Sequence, residues 1–156
     1  MNTERGTERL AVRAAALSLL ARRDFSSSEL LARLQGQGFS ADECAGVITE
    51  LVEGKILDDA RYTELYVTDH SERGQGPVRI AQGLKALGLP DELIDSALAA
   101  GPDWYARARE VRIRKYGLPL PAARPERARQ ARFLQYRGFS ADHIRSALGA
   151  DFDLDH

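Results

Sequence analysis

Cysteine is almost missing from this 156-residue chain, which contains Cys44 and no other. A single thiol excludes an internal disulfide and cannot form a cysteine metal site by itself. The absence of further cysteines agrees with a reducing compartment. We therefore expect Cys44 to be a small hydrophobic core residue rather than a reactive group.

Long apolar runs are missing as well. The longest uncharged apolar run of the first predicted helix, residues 14–21 (AAALSLLA), is far shorter than the ~20 residues that cross a bilayer. The opening residues MNTERGTERL mix acids and bases, whereas a secretory signal is basic and then apolar. We expect a cytoplasmic protein that does not bind a membrane.

The sequence also lacks the groupings that catalysis requires. Its histidines, His70, His143 and His156, are isolated from thiols and from carboxylates at metal-ligand spacing. Gly74 and Gly76 begin like a dinucleotide-binding fingerprint, but Arg79 stands where its third glycine belongs and no strand precedes it. No phosphate-binding lysine loop and no nucleophile motif is present. We therefore predict that the chain is not an enzyme, with no cofactor and no bound metal.

Charge is distributed unevenly, although the net charge is only −1. Residues 1–101 contain 11 Lys and Arg against 16 Asp and Glu, whereas residues 102–150 contain 11 against 4, a net +7. The last residues, 151–156, form an acidic tail with three aspartates. A cationic third of this kind points to an acidic or polyanionic partner.

A repeat of fifty residues organises the chain. The segments Gly38-Phe39-Ser40, Gly88-Leu89-Pro90 and Gly138-Phe139-Ser140 stand fifty residues apart, and ADECAGVI, DELIDSAL and ADHIRSAL follow them. Apolar residues coincide in the three copies at 34, 84 and 134, at 44, 94 and 144, and at 48, 98 and 148. Each glycine is suited to end one helix in a left-handed conformation, and the residues after it begin the next helix.

Further signals place the helix ends. Ser26 with Glu29 and Ser40 with Glu43 fit the capping box, and Asp58 or Asp59 is suited to cap the fourth helix. Gly74 or Gly76 provides a left-handed helix end before Pro77. Apolar stripes are predicted for Tyr62, Leu65 and Tyr66 and for Ile80, Leu84 and Leu87. The resulting helices are 7–23, 26–37 and 40–53; 58–73, 77–87 and 91–99; and 103–116, 126–137 and 140–148.

The predicted fold class is all-α, because no stretch alternates with the period of a strand. Three tandem three-helix repeats cover residues 1–56, 57–101 and 102–150, the third being the basic one, and the acidic tail covers 151–156. Short helices are marginal alone, so neighbouring helices must cover their apolar faces. We expect an elongated, curved, crescent-shaped array, with a compact bundle as the alternative. The proline-rich segment 117–125 (GLPLPAARP) is either a hinge or a stiff loop.

The basic third combines arginine with aromatic residues. In the seventh helix, Arg107, Arg109, Arg112, Arg114 and Lys115 surround the stripe of Trp104, Ala108 and Val111. In the eighth, Arg129, Arg132, Phe133 and Tyr136 share one face. Guanidinium groups pair with phosphates and rings stack on bases, so such a face is typical of nucleic-acid binding. For Phe133 the favoured interpretation is a core residue, whereas for the arginines partner binding is favoured over a solvated face.

The segment 57–80 (LDDARYTELYVTDHSERGQGPVRI) resembles the most characteristic part of the RecX family, bacterial proteins that modulate the RecA recombinase. Residues 19–39 (LLARRDFSSSELLARLQGQGF) resemble its first module, and 114–117 (RKYG) with 132–148 (RFLQYRGFSADHIRSAL) resemble its third. The resemblance covers nearly the whole chain. Asp69 and His70 depart from the family pattern, which usually has basic residues there.

The resemblance implies a right-handed crescent that lies in the groove of the RecA filament on single-stranded DNA. There it would inhibit ATP hydrolysis, strand exchange and the co-protease activity, and so regulate recombination and the SOS response. Expected partners are the RecA filament and single-stranded DNA, bound directly or through the filament, and the protein is expected to be a monomer. Stand-alone nucleic-acid binding is the main alternative, and a purely structural helical adaptor is a third. The predicted partner- or DNA-binding residues are Arg61, Arg73, Arg79, Lys85, Arg107, Arg112, Arg114, Lys115, Arg127, Arg129, Arg132 and Arg137.

Overall fold

The computed structural model of the chain describes residues 2–149. Within that range the chain forms nine α-helices and no strand, which confirms the all-α prediction. The helices are α1 (Asn2–Leu20), α2 (Ser27–Gly36), α3 (Ala41–Glu53), α4 (Asp59–Glu72), α5 (Pro77–Ala86), α6 (Asp91–Ala99), α7 (Trp104–Tyr116), α8 (Arg124–Tyr136) and α9 (Ala141–Ala147). The predicted acidic tail lies outside the described residues.

Consecutive triplets of helices form three modules, each with its own core. In every module the first and third helices pack against each other and the second helix covers them. Leu34, Leu84 and Leu134, which the fifty-residue repeat aligned, are each fully buried in their own module. The described part of the chain is therefore a tandem array of three-helix units, as predicted.

The array is elongated rather than compact. Among the described residues, helices pack extensively only within their own modules, whereas a compact bundle would also pack helices of different modules against one another. The cores of the second and third modules nevertheless meet at Trp104, which packs against both and donates its indole N–H to the Leu98 carbonyl at 3.1 Å. Neighbouring modules are thus held in contact.

Glycine ends the second helix of each module as predicted. Gly38, Gly88 and Gly138 have φ values of +95°, +84° and +98°, the left-handed conformation that favours glycine. At the joint before Pro77, Gly74 takes this conformation at φ +88°, whereas Gly76 is extended and begins α5.

Residues 26–28 make the joint between the first two modules, where the Ser27 amide donates to the Asp59 carboxylate at 2.8 Å. Ser26 both caps α2, accepting from the Glu29 amide, and donates its hydroxyl to the Leu87 carbonyl at 2.8 Å. Ser28 donates to the Gly88 carbonyl at 3.4 Å. The beginning of α2 therefore meets the end of α5.

Backbone amides make the joint between the second and third modules. The Gly76 amide donates to the Arg137 carbonyl at 2.8 Å, and the Val78 amide donates to the Gly138 carbonyl at 2.9 Å. The beginning of α5 therefore meets the end of α8. Every partner stands fifty residues beyond its counterpart in the first joint, so one contact is used twice along the array.

Two local predictions need correction. Ser40 precedes α3 but makes no capping hydrogen bond with its side chain. The other half of the predicted capping box is also absent, because the Ser40 amide donates to Glu8 at 2.7 Å and Glu43 pairs with Arg9. Leu65 is 49% exposed rather than part of the buried stripe. The buried face of α4 is formed by Thr63, Val67 and Ser71.

The proline-rich connection between α7 and α8 is a tied loop. Arg112, which is 2% exposed, donates to the carbonyls of Gly117, Leu118 and Pro119 at 3.1–3.3 Å. The backbone oxygens of a single loop thus converge on one buried guanidinium. Of the two alternatives, the structure favours the stiff loop over the hinge.

Candidate partner- and nucleic-acid-binding surface

The last two turns of α8 carry the main cationic surface. Arg129, Arg132, Phe133 and Tyr136 share one face of this helix, as their spacing predicted. Phe133 is half-buried and packs against the third core, so both of the interpretations offered for it apply in part.

Phe133 lies among cations from two helices. The Lys115 ammonium and the Arg137 guanidinium lie 5.6 and 5.4 Å from its ring centroid, within cation–π range. Tyr116 meets the same ring edge-on with centroids 5.5 Å apart, and Arg129 lies 5.9 Å from the Tyr116 ring. The end of α7 and the face of α8 therefore form one cluster of alternating rings and cations.

Tyr136 extends this cluster across the joint between the second and third modules. Its side chain is 74% exposed, and the Arg79 guanidinium of α5 lies 5.4 Å from its ring. Arg79 also donates to the Tyr136 carbonyl at a long 3.5 Å. We define the α8 surface as Arg79, Lys115, Tyr116, Arg129, Arg132, Phe133, Tyr136 and Arg137.

Few acids neutralise the α8 surface. Glu126 approaches Arg129 at 3.7 Å, an exposed pair of the kind that contributes little. Among residues 2–149, neither Arg79, Lys115, Arg132 nor Arg137 forms an ion pair. Cations held together without counter-charges repel one another, and an anionic partner would relieve that repulsion.

The other predicted residues of the middle module, Arg61, Arg73 and Lys85, are not part of the α8 surface. Burial raises the pKa of the Tyr66 phenol, and the nearby cations Arg73 and Arg79 partly oppose that shift. Arg73 is paired with Asp69 at 2.9 Å. Because Asp69 stands where the family usually has a basic residue, this departure from the family pattern leaves Arg73 with less charge for a partner. Arg61 and Lys85 are exposed, on the first turn of α4 and the last turn of α5.

Arg112 is not available to a partner, which corrects the sequence-based prediction. In α7 it stands nine residues after the helix cap Asp103, where Val67 stands relative to Asp58 in α4. The third module thus places a guanidinium where the second has an apolar core residue. Burial lowers the pKa of Arg112, and its Nε atom has no hydrogen-bond partner within the described chain.

Two further predicted residues are engaged within the third module. Arg127 donates its Nε–H to the Pro121 carbonyl at 3.1 Å and so helps to hold the loop. Arg107 pairs with Glu110 at 3.5 Å. Arg107, Glu110 and Arg114 border a separate groove between the end of α4 and α7, where Glu72 adds a second acid. This mixed charge makes the groove less suited to a polyanion than the α8 surface.

Sequence reasoning missed Tyr116 as a member of the surface. The residue stands in the RKYG segment that carried the family resemblance, beside Lys115, but its ring meets Phe133 of another helix. The loop between α7 and α8 brings the two rings together, and no local sequence pattern predicts the path of that loop.

Comparison with known proteins identifies the family. Models of the first, second and third three-helix domains of RecX match residues 13–51, 58–98 and 102–148. A protein of Halorhodospira halophila named "Regulatory protein RecX" is 47% identical over 149 residues, covering 95% of this chain and 92% of the relative. One of Ectopseudomonas mendocina with the same name is 43% identical over 140 residues, covering 89% and 93%.

Solved structures agree in fold. The crystal structure of RecX from Lactobacillus salivarius superposes with a TM-score of 0.81 at 21% identity, covering 91% of this chain and 95% of that one. A second structure, of a regulatory protein RecX, gives a TM-score of 0.79 at 18% identity, covering 92% and 73%. No helix of the described chain is both long and apolar enough to span a membrane. With three domain models and relatives of this similarity along its length, the chain belongs to the RecX family.

Proposed function

We propose that this chain is a non-enzymatic regulator of the RecA recombinase. It binds in the groove of the RecA filament on single-stranded DNA and inhibits ATP hydrolysis, strand exchange and co-protease activity. The regulatory role follows the names of its relatives. The observation that carries the proposal for this chain is the α8 surface, where cations and an exposed tyrosine cross from one module to the next.

The geometry of that surface suits a nucleoprotein filament. An elongated array presents contacts along a polymer, and tied joints hold those contacts at fixed spacing. Unpaired cations at Arg132 and Arg137 attract the acidic groups of the filament, whether phosphates or carboxylates. Because charge at Asp69 weakens the contribution of Arg73, binding depends more on the third module than on the second.

Inhibition of the RecA ATPase on single-stranded DNA tests the proposal. We expect the wild-type protein to slow ATP hydrolysis, and Arg132→Glu to require a higher concentration for the same effect. Arg33→Glu is the matched control, because Arg33 is an exposed cation on α2 in the first module. Full ATPase activity at saturating wild-type protein would contradict the proposal, as would equal effects of the two variants.

Stand-alone binding of single-stranded nucleic acid is the second candidate, and Tyr136 is the observation that favours it. A ring that is 74% exposed and flanked by Arg79 offers a base a stacking plane beside a phosphate-binding group. Anisotropy with a labelled oligonucleotide and no RecA measures this activity. We expect Tyr136→Ala to lower the affinity by about 5- to 150-fold, the equivalent of ~1–3 kcal/mol per stacked base.

Salt dependence separates the two candidates. A stand-alone binder that neutralises Z phosphates loses affinity with a log–log slope of about −0.7Z, and each lost contact reduces that slope. If Tyr136→Ala and Arg129→Glu abolish oligonucleotide binding while ATPase inhibition persists, the filament protein is the main partner. Binding to bare DNA without any effect on the filament would favour the second candidate.

A further inference from the structure

α1 has a buried apolar face and, opposite to it, an exposed face without charged residues. One face supplies Val12 and Ala16, both fully buried, to the first core. The opposite face is exposed and carries no charge along the length of the helix. A helix that is apolar all round is normally covered all round, whereas one on a protein surface has a polar outer face.

The exposed face follows a regular pattern. We define the outer stripe as Thr3, Thr7, Leu10, Ala14, Leu17 and Ala21, all of them exposed. Their spacing alternates between four and three residues, which is the seam of a coiled coil. Leu10 is 70% exposed and Leu17 is 39% exposed. Ala21 continues the helical path beyond α1, since its amide donates to the Leu17 carbonyl at 3.0 Å.

The corresponding helices of the other modules lack such a stripe. The exposed face of α4 contains Arg61, Glu64, Asp69 and Glu72, and that of α7 contains Arg109, Glu110, Arg114 and Lys115. All three helices occupy the first position of a module and pack against its third helix. The uncharged outer face therefore belongs to α1 in particular and not to the repeat.

We infer that a second copy of this chain covers the outer stripe through an antiparallel pairing of the two α1 helices. In one antiparallel register the outer stripes of the two copies fit each other. In that register the residue numbers of each facing pair add up to 24. Leu10 then faces Ala14 of the second copy and Leu17 faces Thr7, so each leucine meets a smaller residue. Thr3 meets Ala21 in the third layer. Alternation of large and small side chains is what close packing of two helices requires.

Charges beside the stripe favour the same arrangement. Glu4, in the first turn of α1, and Arg22, in the turn that follows the helix, fall on one flank of the continued helical path, about 27 Å apart at ~1.5 Å per residue. Neither forms an ion pair within residues 2–149. The antiparallel two-fold brings Glu4 of each copy next to Arg22 of the other. Arg13, near the two-fold on the other flank, is already paired with Glu50 at 3.3 Å, so its repulsion by its own copy is reduced.

The size of the contact sets its strength. One helix face per copy falls below the ~1,200 Å² of standard interfaces, so the dimer is weak and reversible. It joins two arrays through their first modules and leaves both α8 surfaces free. A dimer with two cationic surfaces would bind a polymeric anion by avidity, because the second contact becomes intramolecular. This inference differs from the monomer expected from the sequence.

Sedimentation equilibrium from micromolar to near-millimolar protein tests the inference. We expect the wild-type chain to dimerise, and Leu10→Glu and Leu17→Glu each to raise the dissociation constant at least ~10-fold by placing a charge in the seam. Leu65→Glu is the control, because Leu65 is a comparably exposed leucine on α4. Circular dichroism verifies that each variant is folded. A wild-type monomer over the whole range, or an equal effect of Leu65→Glu, would overturn the inference.

A charge exchange tests the antiparallel register. Glu4→Arg and Arg22→Glu should each weaken the dimer, and the double variant should restore it because both symmetric pairs are rebuilt in reverse. Failure of the double variant to recover would overturn the register. If the wild-type chain is monomeric and the leucine variants instead lose inhibition of the RecA ATPase, the stripe binds the filament and the second copy is excluded.

Discussion

Replacement of Gly76 by alanine isolates the joint between the second and third modules. Gly76 has an extended backbone, so alanine introduces no φ strain there. A Cβ atom at this position would lie only 2.5 Å from the carbonyl carbon and oxygen of Gly138. Those are backbone atoms of α8's end, and they cannot move aside as a flexible side chain can. The two modules must therefore separate locally.

The magnitude follows from the contacts that are lost. Separation breaks the hydrogen bonds from Gly76 to Arg137 and from Val78 to Gly138, each worth ~0.5–1.5 kcal/mol. The lower entropy of the unfolded alanine chain returns ~0.4–1 kcal/mol. We expect Gly76→Ala to lower the free energy of unfolding by about 1–2 kcal/mol, and the midpoint temperature by ~2–4 °C for each kcal/mol at this chain length.

Gly36 supplies the matched control. It lies in α2 with nothing within 4 Å of an added Cβ, so Gly36→Ala should be neutral or stabilise the fold. Urea unfolding compares the free energies of unfolding, and hydrogen exchange of the Val78 amide reports on the joint itself. If Gly76→Ala is as stable as the wild type and the Val78 amide stays equally protected, the two modules do not depend on this contact.

Three further outcomes are expected from other parts of the molecule. Arg112→Met should destabilise the third module by about 2 kcal/mol or more, because three loop carbonyls lose a charged donor. Proteolysis within residues 117–123 should then become faster. Unchanged proteolysis would show that Arg112 does not hold the loop. Burial lowers the pKa of His143 below its ordinary 6.5, so the unfolded chain takes up a proton before the folded chain does. The free energy of unfolding should therefore fall as the pH drops below about 6.5. In His143→Gln this part of the pH dependence should disappear, and a pH dependence of stability identical to that of the wild type would refute the prediction. The Cys44 thiol is fully buried and burial raises its pKa, so it should react with a thiol reagent only as fast as the first module opens, whereas immediate labelling of the native protein would contradict the burial.

The repeat made the fold predictable from the sequence. Leu34, Leu84 and Leu134, which the fifty-residue spacing aligns, occupy equivalent core positions because each module packs three helices in the same arrangement. Glycine was informative for a similar reason, since few other residues accept the positive φ at Gly38 and Gly138. The curvature of the array stays a prediction.

The joints were less predictable although they share the same period. Ser26 and Gly76 are equivalent in position, but one contributes a hydroxyl and the other a backbone amide. Almost every residue type carries a backbone amide, so a backbone donor cannot be recognised from the sequence. Comparing side chains could therefore not show that the two joints are made at equivalent positions. Arg112 was misplaced for a related reason. Its acceptors are loop carbonyls, and the sequence does not specify their directions.

The two joints differ in the groups that make them. In the first, two serine hydroxyls donate to carbonyls at 2.8 and 3.4 Å, and the Ser27 amide donates to the Asp59 carboxylate at 2.8 Å. In the second, amides fixed by the turn before α5 make both bonds below 3.0 Å, with glycine on each side allowing close backbone approach. The α8 surface crosses this second joint at Arg79 and Tyr136. A surface that must match a regular polymer gains from this placement, because bonds between backbone groups of the two modules hold its cations at a fixed spacing.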